Sequence, residues 1–244
     1  MNMDNEISPN GNKKSDYRKY DFTGLIKSDN GRFLNQIIAL KNFGDVKKGD
    51  IGGWIEVEDN LSHKGNAWVY DDAMVFGNAL VYGNARVFGC AKVSGNARVC
   101  GNARVCDNAW VYGDTVVCDN ARVYGKAWVR DNARVCENAK VCDTAKVCEN
   151  ARVLNNAKVC DNALVYGDAF VFGCAKVSGN AWVFGDALVY GNAKVCGGTW
   201  VTFDDRVGDN QRVGGNTCKD WILGSLFLLF LLFFVLVFAI VDVC

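Results

Sequence analysis

The sequence predicts an all-β solenoid, a coil of very short strands stacked in parallel. Valine occurs at every sixth position from Val69 to Val213, without an insertion or deletion. Two positions before each valine as far as Val201 lies a small residue, which is alanine from Ala67 to Ala193 except at Thr115. Asn or Asp, often preceded by Gly, separates one valine from the next small residue. Units this short and regular bury their apolar sides only by stacking on one another.

Each six-residue unit predicts a short strand followed by a corner. Alanine and valine two positions apart point to the same face of a strand. The Gly-Asn, Gly-Asp and Asp-Asn pairs favour corners because these residues tolerate positive φ. An amphipathic helix is excluded, since its apolar residues would recur at spacings of three and four. A flat antiparallel sheet is disfavoured because strands of about three residues do not hold one together.

The motif resembles the hexapeptide repeat of left-handed parallel β-helices, the fold of a superfamily of trimeric acyltransferases. Residues 97–102 (Ala-Arg-Val-Cys-Gly-Asn) and 181–186 (Ala-Trp-Val-Phe-Gly-Asp) match it, and the resemblance covers roughly residues 49–216. It implies triangular coils of three hexads, in which residues 18 apart lie above one another. About eight coils at ~4.8 Å each would form a prism about 40 Å long.

Both ends of the solenoid carry signs of a cap. Residues 17–48 predict a short N-terminal β cap, because they include the apolar run 37–40 between polar stretches. Ile51 is already in the valine phase, which predicts an irregular first coil. Near the other end, Asp205 and Gln211 replace the small residue and predict a terminal cap. Such caps cover edges that would otherwise pair with other chains.

The two termini differ in character from the repeat. Residues 1–16 are polar and predict a disordered tail, with no apolar core typical of a secretory signal. Residues 219–244 predict a hydrophobic C-terminal helix, because 221–241 contains no charged residue and about 20 such residues span a bilayer. Basic residues precede it, so we expect a membrane anchor with the solenoid in the cytoplasm. A buried capping helix and an out-of-frame tail are the alternatives.

Composition and cysteine placement argue against several kinds of site. The chain has 27 basic and 27 acidic residues, which excludes a polyelectrolyte. Most of the 12 cysteines follow a repeat valine, where other hexads have Tyr, Phe or Ser, so we expect reduced packing residues. Cys100, Cys118 and Cys136 are 18 apart and would stack, but a single-file column suits tetrahedral zinc poorly. We therefore expect no metal and no cofactor.

Catalytic candidates are scarce. The resemblance implies acyltransferases that use an imidazole base, and a carbonic anhydrase that holds zinc with three histidines. This chain has one histidine, His63, which excludes the three-histidine site within one chain. His63 is a weak candidate for a general base; a corner or cap residue is the preferred interpretation. The acyltransferases also extrude a long loop, and the unbroken phase leaves no room for one between 67 and 204.

The residue between alanine and valine should point outward, and at a period of 18 it sorts into three faces. One face carries a basic stripe, formed by Arg86, Arg104, Arg122, Lys140, Lys158, Lys176 and Lys194. A second is rich in tryptophan, with Trp110, Trp128, Trp182 and Trp200. An exposed aromatic stripe predicts self-association or contact with another protein. Stacked cations could contact a polyanion, although long side chains covering the strands, offset by corner acids, are the plainer interpretation.

These patterns predict a non-catalytic structural or binding solenoid that presents flat faces to a partner and is tethered to a membrane. The wider pattern resembles uncharacterised phage and bacterial hexapeptide-repeat proteins, which implies a phage origin without implying an activity. The alternative is a hexapeptide-type acyltransferase that acts as a trimer, with its active site between subunits.

Overall fold

The computed structural model describes residues 17–214, which form a parallel β-solenoid preceded by an antiparallel hairpin. The hairpin consists of β1 (Tyr20–Asp29) and β2 (Arg32–Ala39), and β3 (Ile51–Ile55) pairs antiparallel to β2. A 3-10 turn follows at Glu58–Asn60. The described part of the chain contains no α-helix. The β1 and β2 strands are longer than the short strands that the sequence predicts for the cap.

Each later strand is two residues long and holds the outward residue and the valine of one hexad. In chain order the strands are β4 (Trp68–Val69), β5 (Met74–Val75), β6 (Leu80–Val81), β7 (Arg86–Val87), β8 (Lys92–Val93), β9 (Arg98–Val99), β10 (Arg104–Val105), β11 (Trp110–Val111), β12 (Val116–Val117), β13 (Arg122–Val123), β14 (Trp128–Val129), β15 (Arg134–Val135), β16 (Lys140–Val141), β17 (Lys146–Val147), β18 (Arg152–Val153), β19 (Lys158–Val159), β20 (Leu164–Val165), β21 (Phe170–Val171), β22 (Lys176–Val177), β23 (Trp182–Val183), β24 (Leu188–Val189), β25 (Lys194–Val195), β26 (Trp200–Val201), β27 (Arg206–Val207) and β28 (Arg212–Val213).

Three sheets form the sides of the solenoid. The tryptophan face is an 11-stranded sheet that runs from the hairpin to β26, the basic face has 9 strands from β4 to β28, and the mixed face has 8 strands from β6 to β27. Pairing is in register at 18 residues, so Arg104 lies between Arg86 and Arg122. The outward residues of each face therefore stack in straight columns, as the period predicts.

The stack has about nine turns, against about eight predicted. The additional partial turn is formed by residues that precede the regular repeat. Strand β3 pairs in parallel with β5, and Leu61 forms an isolated parallel bridge with Val81. The irregular first coil therefore belongs to the solenoid rather than to a separate cap.

The core consists of valine and alanine columns, as the inward assignment predicts. Every repeat valine from Val69 to Val207 is at most 2% exposed, and Val213 at the last strand is 8% exposed. The repeat alanines are buried along the whole stack. At the exception, Thr115, the hydroxyl is buried without a hydrogen-bond partner in the described chain. Apolar burial along this column is the main source of stability.

The corners have a left-handed residue two positions after each valine, and it is Gly or an acid in most turns. The acids offset the strain of this conformation with hydrogen bonds. Asp119 Oδ2 accepts from the backbone N–H of Glu137 at 3.1 Å, and Asp143 Oδ2 accepts from that of Asp161 at 3.1 Å. The corner acids are thus hydrogen-bond acceptors for the next coil.

The N-terminal end is closed by side chains from the hairpin and the 3-10 turn. Inside the stack, the carbonyl of each alanine slot accepts an N–H from the preceding coil. In the first coil, Lys19 Nζ donates to the Ala67 carbonyl at 2.6 Å, and Asn60 Nδ2 donates to the Ala79 carbonyl at 2.9 Å. Lys19 is only 1% exposed. Its burial, reinforced by the nearby charge of Lys41, lowers its pKa to about 8.

The C-terminal end is closed from within the repeat. Asp205 Oδ2 accepts from the backbone N–H of Thr202 at 2.9 Å, and Gln211 Oε1 accepts from that of Gly208 at 3.0 Å. The equivalent N–H groups of earlier coils donate to the next coil. The two residues that break the small-residue pattern therefore replace the carbonyls of a following turn.

Residues 1–16 and 215–244 lie outside the described residues. The predicted disordered tail and the predicted helix at 219–244 fall in these ranges. Within 17–214, no helix has the length and apolar character needed to cross a membrane.

Candidate interaction faces

The tryptophan face places its four predicted tryptophans in two pairs. Strands β11 and β14 set the Trp110 and Trp128 rings 5.6 Å apart at 75°. Strands β23 and β26 stack the Trp182 and Trp200 rings 5.4 Å apart at 12°. Trp128 is 36% exposed and Trp200 is 44% exposed. The face therefore offers solvent two separate aromatic patches rather than one continuous stripe.

Lys146 and Leu164 separate the two pairs on the same sheet. The Lys146 ammonium lies 5.2 Å from the centroid of the Trp128 ring, within cation–π range. This contact places the Lys146 ammonium over the first tryptophan pair.

Aromatic residues at the corner extend both patches. The Tyr112 ring lies 4.9 Å from the Trp110 ring, and the Tyr166 ring stacks on Phe184 at 4.9 Å. These residues follow a repeat valine, a position that the sequence associates with packing. The 18-residue period could have found them, because Tyr112, Tyr166 and Phe184 share one column, two positions after the tryptophan column.

A cavity of about 420 Å³ lies where the hairpin overhangs the start of the tryptophan face. The Lys92 ammonium donates to Asp29 Oδ2 at 2.9 Å, which ties the hairpin to the solenoid at this point. The Trp110 indole N–H is buried without a partner in the described chain. The cavity lining combines cations, polar groups and rings, and includes Lys27, Asp72, Lys92, Asn108, Trp110 and Trp128.

The basic face carries all seven predicted cations in one in-register column. Only Arg86 among them forms an ion pair within residues 17–214, with Asp45 of the loop before β3 at 2.9 Å. The other six cations have no carboxylate partner in that range. Corner acids such as Asp143 and Asp161 accept backbone N–H groups instead. The offset of this charge that the sequence predicts is therefore not made by direct ion pairs.

His63 lies within the N-terminal cap, away from both interaction faces. Its Nδ1 accepts the backbone N–H of Lys19 at 3.3 Å, and its Nε2 lies 2.7 Å from Glu58 Oε1. The ring stacks on Tyr20 with centroids 4.4 Å apart. Because Nδ1 accepts, Nε2 carries the proton and donates to Glu58. Both ring nitrogens are occupied by protein groups, so neither is open to a substrate in this arrangement.

The cysteines between residues 17 and 214 are all free thiols. Burial raises the pKa of the Cys106 and Cys148 thiols to about 11. These two thiols are therefore protonated near neutral pH, which agrees with the interpretation of the repeat cysteines as packing residues.

Comparison with known proteins identifies the type of repeat. A family model described as the YdcK beta solenoid repeat matches residues 97–113, 103–119 and 117–131. Residues 97–131 are thus similar to YdcK-type β-solenoid repeats. This match and the parallel sheets are consistent with the hexapeptide-repeat resemblance of the sequence.

A curated relative is the "Uncharacterized acetyltransferase YdcK" of Escherichia coli (strain K12). It is 53% identical to this chain over 38 residues. The aligned stretch is 16% of this chain and 12% of the relative, so the chain covers only a small part of that protein. The similarity therefore leaves most of this chain and most of the relative unmatched.

Proposed function

We propose that this chain is a non-catalytic binding solenoid whose tryptophan face docks a protein, either a second copy of itself or another partner. The observation that carries this proposal is the pair of aromatic patches at Trp110–Trp128 and Trp182–Trp200, fixed in register on one sheet. Aromatic residues are enriched at protein interfaces, and tryptophan is prominent among the residues that dominate binding energy. Side chains held by a rigid sheet also lose little entropy on association.

The geometry favours a protein surface over a small molecule. The tryptophan strands run from β11 to β26, five strand spacings, which is about 24 Å at ~4.8 Å each. Small-molecule sites are concave and enclose most of their ligand. Only the Trp110–Trp128 patch borders the cavity under the hairpin, and the two patches together span a length that matches a protein–protein contact.

The test is the association state of the full-length chain in mild detergent, measured by analytical ultracentrifugation, together with a search for co-purifying proteins. The double change Trp128→Ser and Trp200→Ser should dissociate the assembly or release the partner. Phe170→Ser with Leu188→Ser, on the mixed face, is the matched control and should have little effect. Association that survives the tryptophan changes, or a wild-type chain that binds nothing, would refute the proposal.

The basic face supports a second contact, with a polyanion. Its support is the column of six cations that form no ion pair with any carboxylate of residues 17–214. Stacked like charges repel one another, and a bound anion would relieve that repulsion. Lys140→Gln with Lys158→Gln should weaken retention on a polyanionic resin and reduce its salt dependence. Equal retention of wild type and variant would leave the stripe as a solvated surface.

The alternative function is acetyl transfer by a trimer, and its support is the stretch shared with the relative named an acetyltransferase. The engaged nitrogens of His63 weigh against it, because a general base needs a free nitrogen near its substrate. Acetyl transfer from acetyl-coenzyme A that is abolished by His63→Ala would establish the alternative. We expect no transfer above background.

We further propose that residues 221–241 tether the solenoid to a membrane, with the solenoid in the cytoplasm. The support is the sequence alone: the segment contains no charged residue, and basic residues precede it. The full-length chain should stay with membranes during alkaline carbonate extraction, and Leu231→Arg with Leu232→Arg should release it. Wild-type protein that is soluble without detergent would contradict the tether. A phage origin stays a prediction from the resemblance.

A further inference from the structure

Two clusters of sulfur and oxygen ligands lie on edges of the solenoid and take no part in the proposed binding faces. In each cluster, two thiols and one carboxylate have their ligand atoms within 4.8 Å of one another. The clusters are Cys118, Asp119 and Cys136 at one edge, and Cys142, Asp143 and Cys160 at another. We propose that each cluster is a binding site for a thiophilic divalent metal ion of the Zn²⁺ class.

The repeat itself builds the first cluster. Cys118 and Cys136 directly follow β12 and β15, which pair in register, so one thiol lies above the other. The left-handed conformation of Asp119, at φ 58°, places its carboxylate beside the column. The Cys118 thiol donates to Asp119 Oδ2 at 3.2 Å. The three ligand atoms thus form a triangle rather than a line.

The second cluster repeats this arrangement at another edge. Cys142 and Cys160 follow β16 and β19, which also pair in register. Asp143 has φ 61°, and its Oδ2 accepts from the Cys142 thiol at 3.3 Å. Here both thiols are buried, at 1% and 2% exposure, while the carboxylate faces solvent.

This triangle removes the objection that the sequence raised against zinc. The sulfur column of Cys100, Cys118 and Cys136 is single-file, and tetrahedral coordination needs a ligand off that line. The adjacent acid supplies it. Zinc binds sulfur at about 2.3 Å and carboxylate oxygen at about 2.0–2.2 Å, so two sulfurs on one ion are at most about 4.6 Å apart. Ligand atoms already within 4.8 Å reach one ion through small side-chain rotations. Water would complete the coordination.

The donor set selects the class of metal. Thiolate sulfur is a soft ligand that favours zinc and related ions over magnesium or calcium. On binding, two S–H bonds break, two metal–sulfur bonds form, and two protons leave to solvent, while the carboxylate binds as the anion it already is. The ion then links two adjacent coils through one side chain of each and a corner acid.

The chain contains its own controls for this geometry. Cys106–Asp107 and Cys148–Glu149 have the same thiol–acid sequence, but the coils above and below them place other residues in the column. Neither pair has a second thiol within ligand distance, and within residues 17–214 only the two proposed clusters bring three such ligand atoms together. Serine occupies the cysteine slot at Ser94 and Ser178, so cysteine-to-serine changes should preserve the fold.

The test uses the full-length chain, reduced, treated with a chelator and titrated with Co²⁺ as a spectroscopic probe for Zn²⁺. Wild type should bind two ions with thiolate charge-transfer absorption, and Zn²⁺ should displace both. Cys118→Ser with Cys136→Ser should lose one ion, and Cys142→Ser with Cys160→Ser the other. Asp119→Asn should weaken the first site at least about tenfold.

The control variant, Cys106→Ser with Cys148→Ser, should still bind two ions. Circular dichroism and thermal unfolding of each variant check that the solenoid is intact. Absence of Co²⁺ binding with thiolate absorption in a folded wild-type chain would overturn the proposal. So would binding that is lost only when the exposed Cys90 and Cys174 are changed. Neither outcome depends on whether the tryptophan face binds a protein.

Discussion

The two ends of the solenoid are closed in different ways, although the same ladder of hydrogen bonds is interrupted at both. At the N-terminal end, carbonyls of the first coil need donors, which come from Lys19 and Asn60, 48 and 19 residues from their acceptors. At the C-terminal end, backbone N–H groups need acceptors, and Asp205 and Gln211 supply them from three residues away. The N-terminal end depends on a folded cap, and the C-terminal end depends on two polar residues at the small-residue position of the repeat.

The difference indicates where the fold is most sensitive. Lys19 and Asn60 are each 1% exposed, so the groups they pair with have no access to water if the side chains are lost. Gln211 is exposed, and water can replace it. An unsatisfied buried polar group costs more than a solvated one. We therefore expect the N-terminal end to tolerate change less well than the C-terminal end.

The largest predicted contrast is between the first and the last repeat valine. Val69→Asp places a charge beneath the hairpin at a position of 0% exposure, and should cost more than about 4 kcal/mol or prevent folding. Val213→Asp, at 8% exposure on the terminal strand, should cost about 1–2 kcal/mol because the charge reaches water. Denaturant unfolding of the full-length chain in detergent measures both, and equal costs would contradict the comparison.

The next largest effect concerns Asn60, whose amide makes four hydrogen bonds. It accepts from the backbone N–H groups of Glu56 and Val57 and donates to the carbonyls of Gly77 and Ala79. Asn60→Ala should lower the free energy of unfolding by about 3 kcal/mol, because several buried groups lose their partner. The control is Asn132→Ala in the exposed corner ladder, which should cost about 0.5 kcal/mol. A similar loss in both variants would show that Asn60 is not an essential part of the cap.

The contribution of Lys19 to the free energy of unfolding should depend on pH. Its pKa is lowered from 10.5 to about 8, so between these values the unfolded chain holds a proton that the folded chain has released. Its contribution to stability therefore rises with pH across that window. The buried thiols act oppositely: the pKa values of Cys106 and Cys148 are raised to about 11, and their contribution falls as pH rises from 9 through 11.

Comparing wild type with Lys19→Met isolates the lysine. Between pH 7.5 and 10, the variant should lose about 2 kcal/mol more stability than wild type, measured by denaturant titration at each pH. Lys126→Met, at an exposed corner far along the repeat, is the control and should follow the wild-type pH dependence closely. Parallel curves for wild type and Lys19→Met would show that Lys19 is solvated rather than buried.

The smallest predicted effect is at the C-terminal end. Gln211→Ala restores the small residue of the repeat but removes the acceptor of the Gly208 N–H, and should cost about 1 kcal/mol. Gln211→Glu keeps an acceptor in place and should cost less than about 0.5 kcal/mol. Thermal unfolding in the same buffer distinguishes the two. If Gln211→Ala is as stable as wild type, the side chain is not a cap.

The periodic part of the structure could be predicted from the sequence because every hexad repeats the same pattern of small residue, outward residue, valine and corner. The inward valines, the 18-residue register and the face that carries the four tryptophans all follow from this period, whereas the division of the tryptophans into two pairs was not predicted. The phase of the first coil was predicted wrongly: Ile51 is in the valine phase but is 53% exposed, and Ile55 takes the inward position instead. Ile55 pairs with Val75 at a spacing of 20 residues rather than 18. Its place in the stack depends on pairing with β5, which no local pattern reveals.

Contacts between the cap and the solenoid could not be predicted in the same way. Asp29 reaches Lys92 across 63 residues, and Asp45 reaches Arg86, with no repeating signal to connect them. The two ligand clusters could not be predicted for another reason. The thiol column was visible in the sequence, but the position of the Asp119 carboxylate depends on the sign of its φ angle. The thiols alone form a single line, and the carboxylate at the corner supplies the third ligand of the proposed site.

The register of 18 residues also determines how this molecule responds to changes in chain length. Loss of one hexad between Trp128 and Trp182 would leave the valine core continuous, because every unit fits every slot. It would also turn each later outward residue onto a neighbouring side, so the two tryptophan pairs would no longer share a surface. Loss of three hexads would keep both pairs on one side and bring them closer by one strand spacing. The fold therefore tolerates insertions and deletions in multiples of six residues. Only multiples of 18 keep each outward residue on its original face.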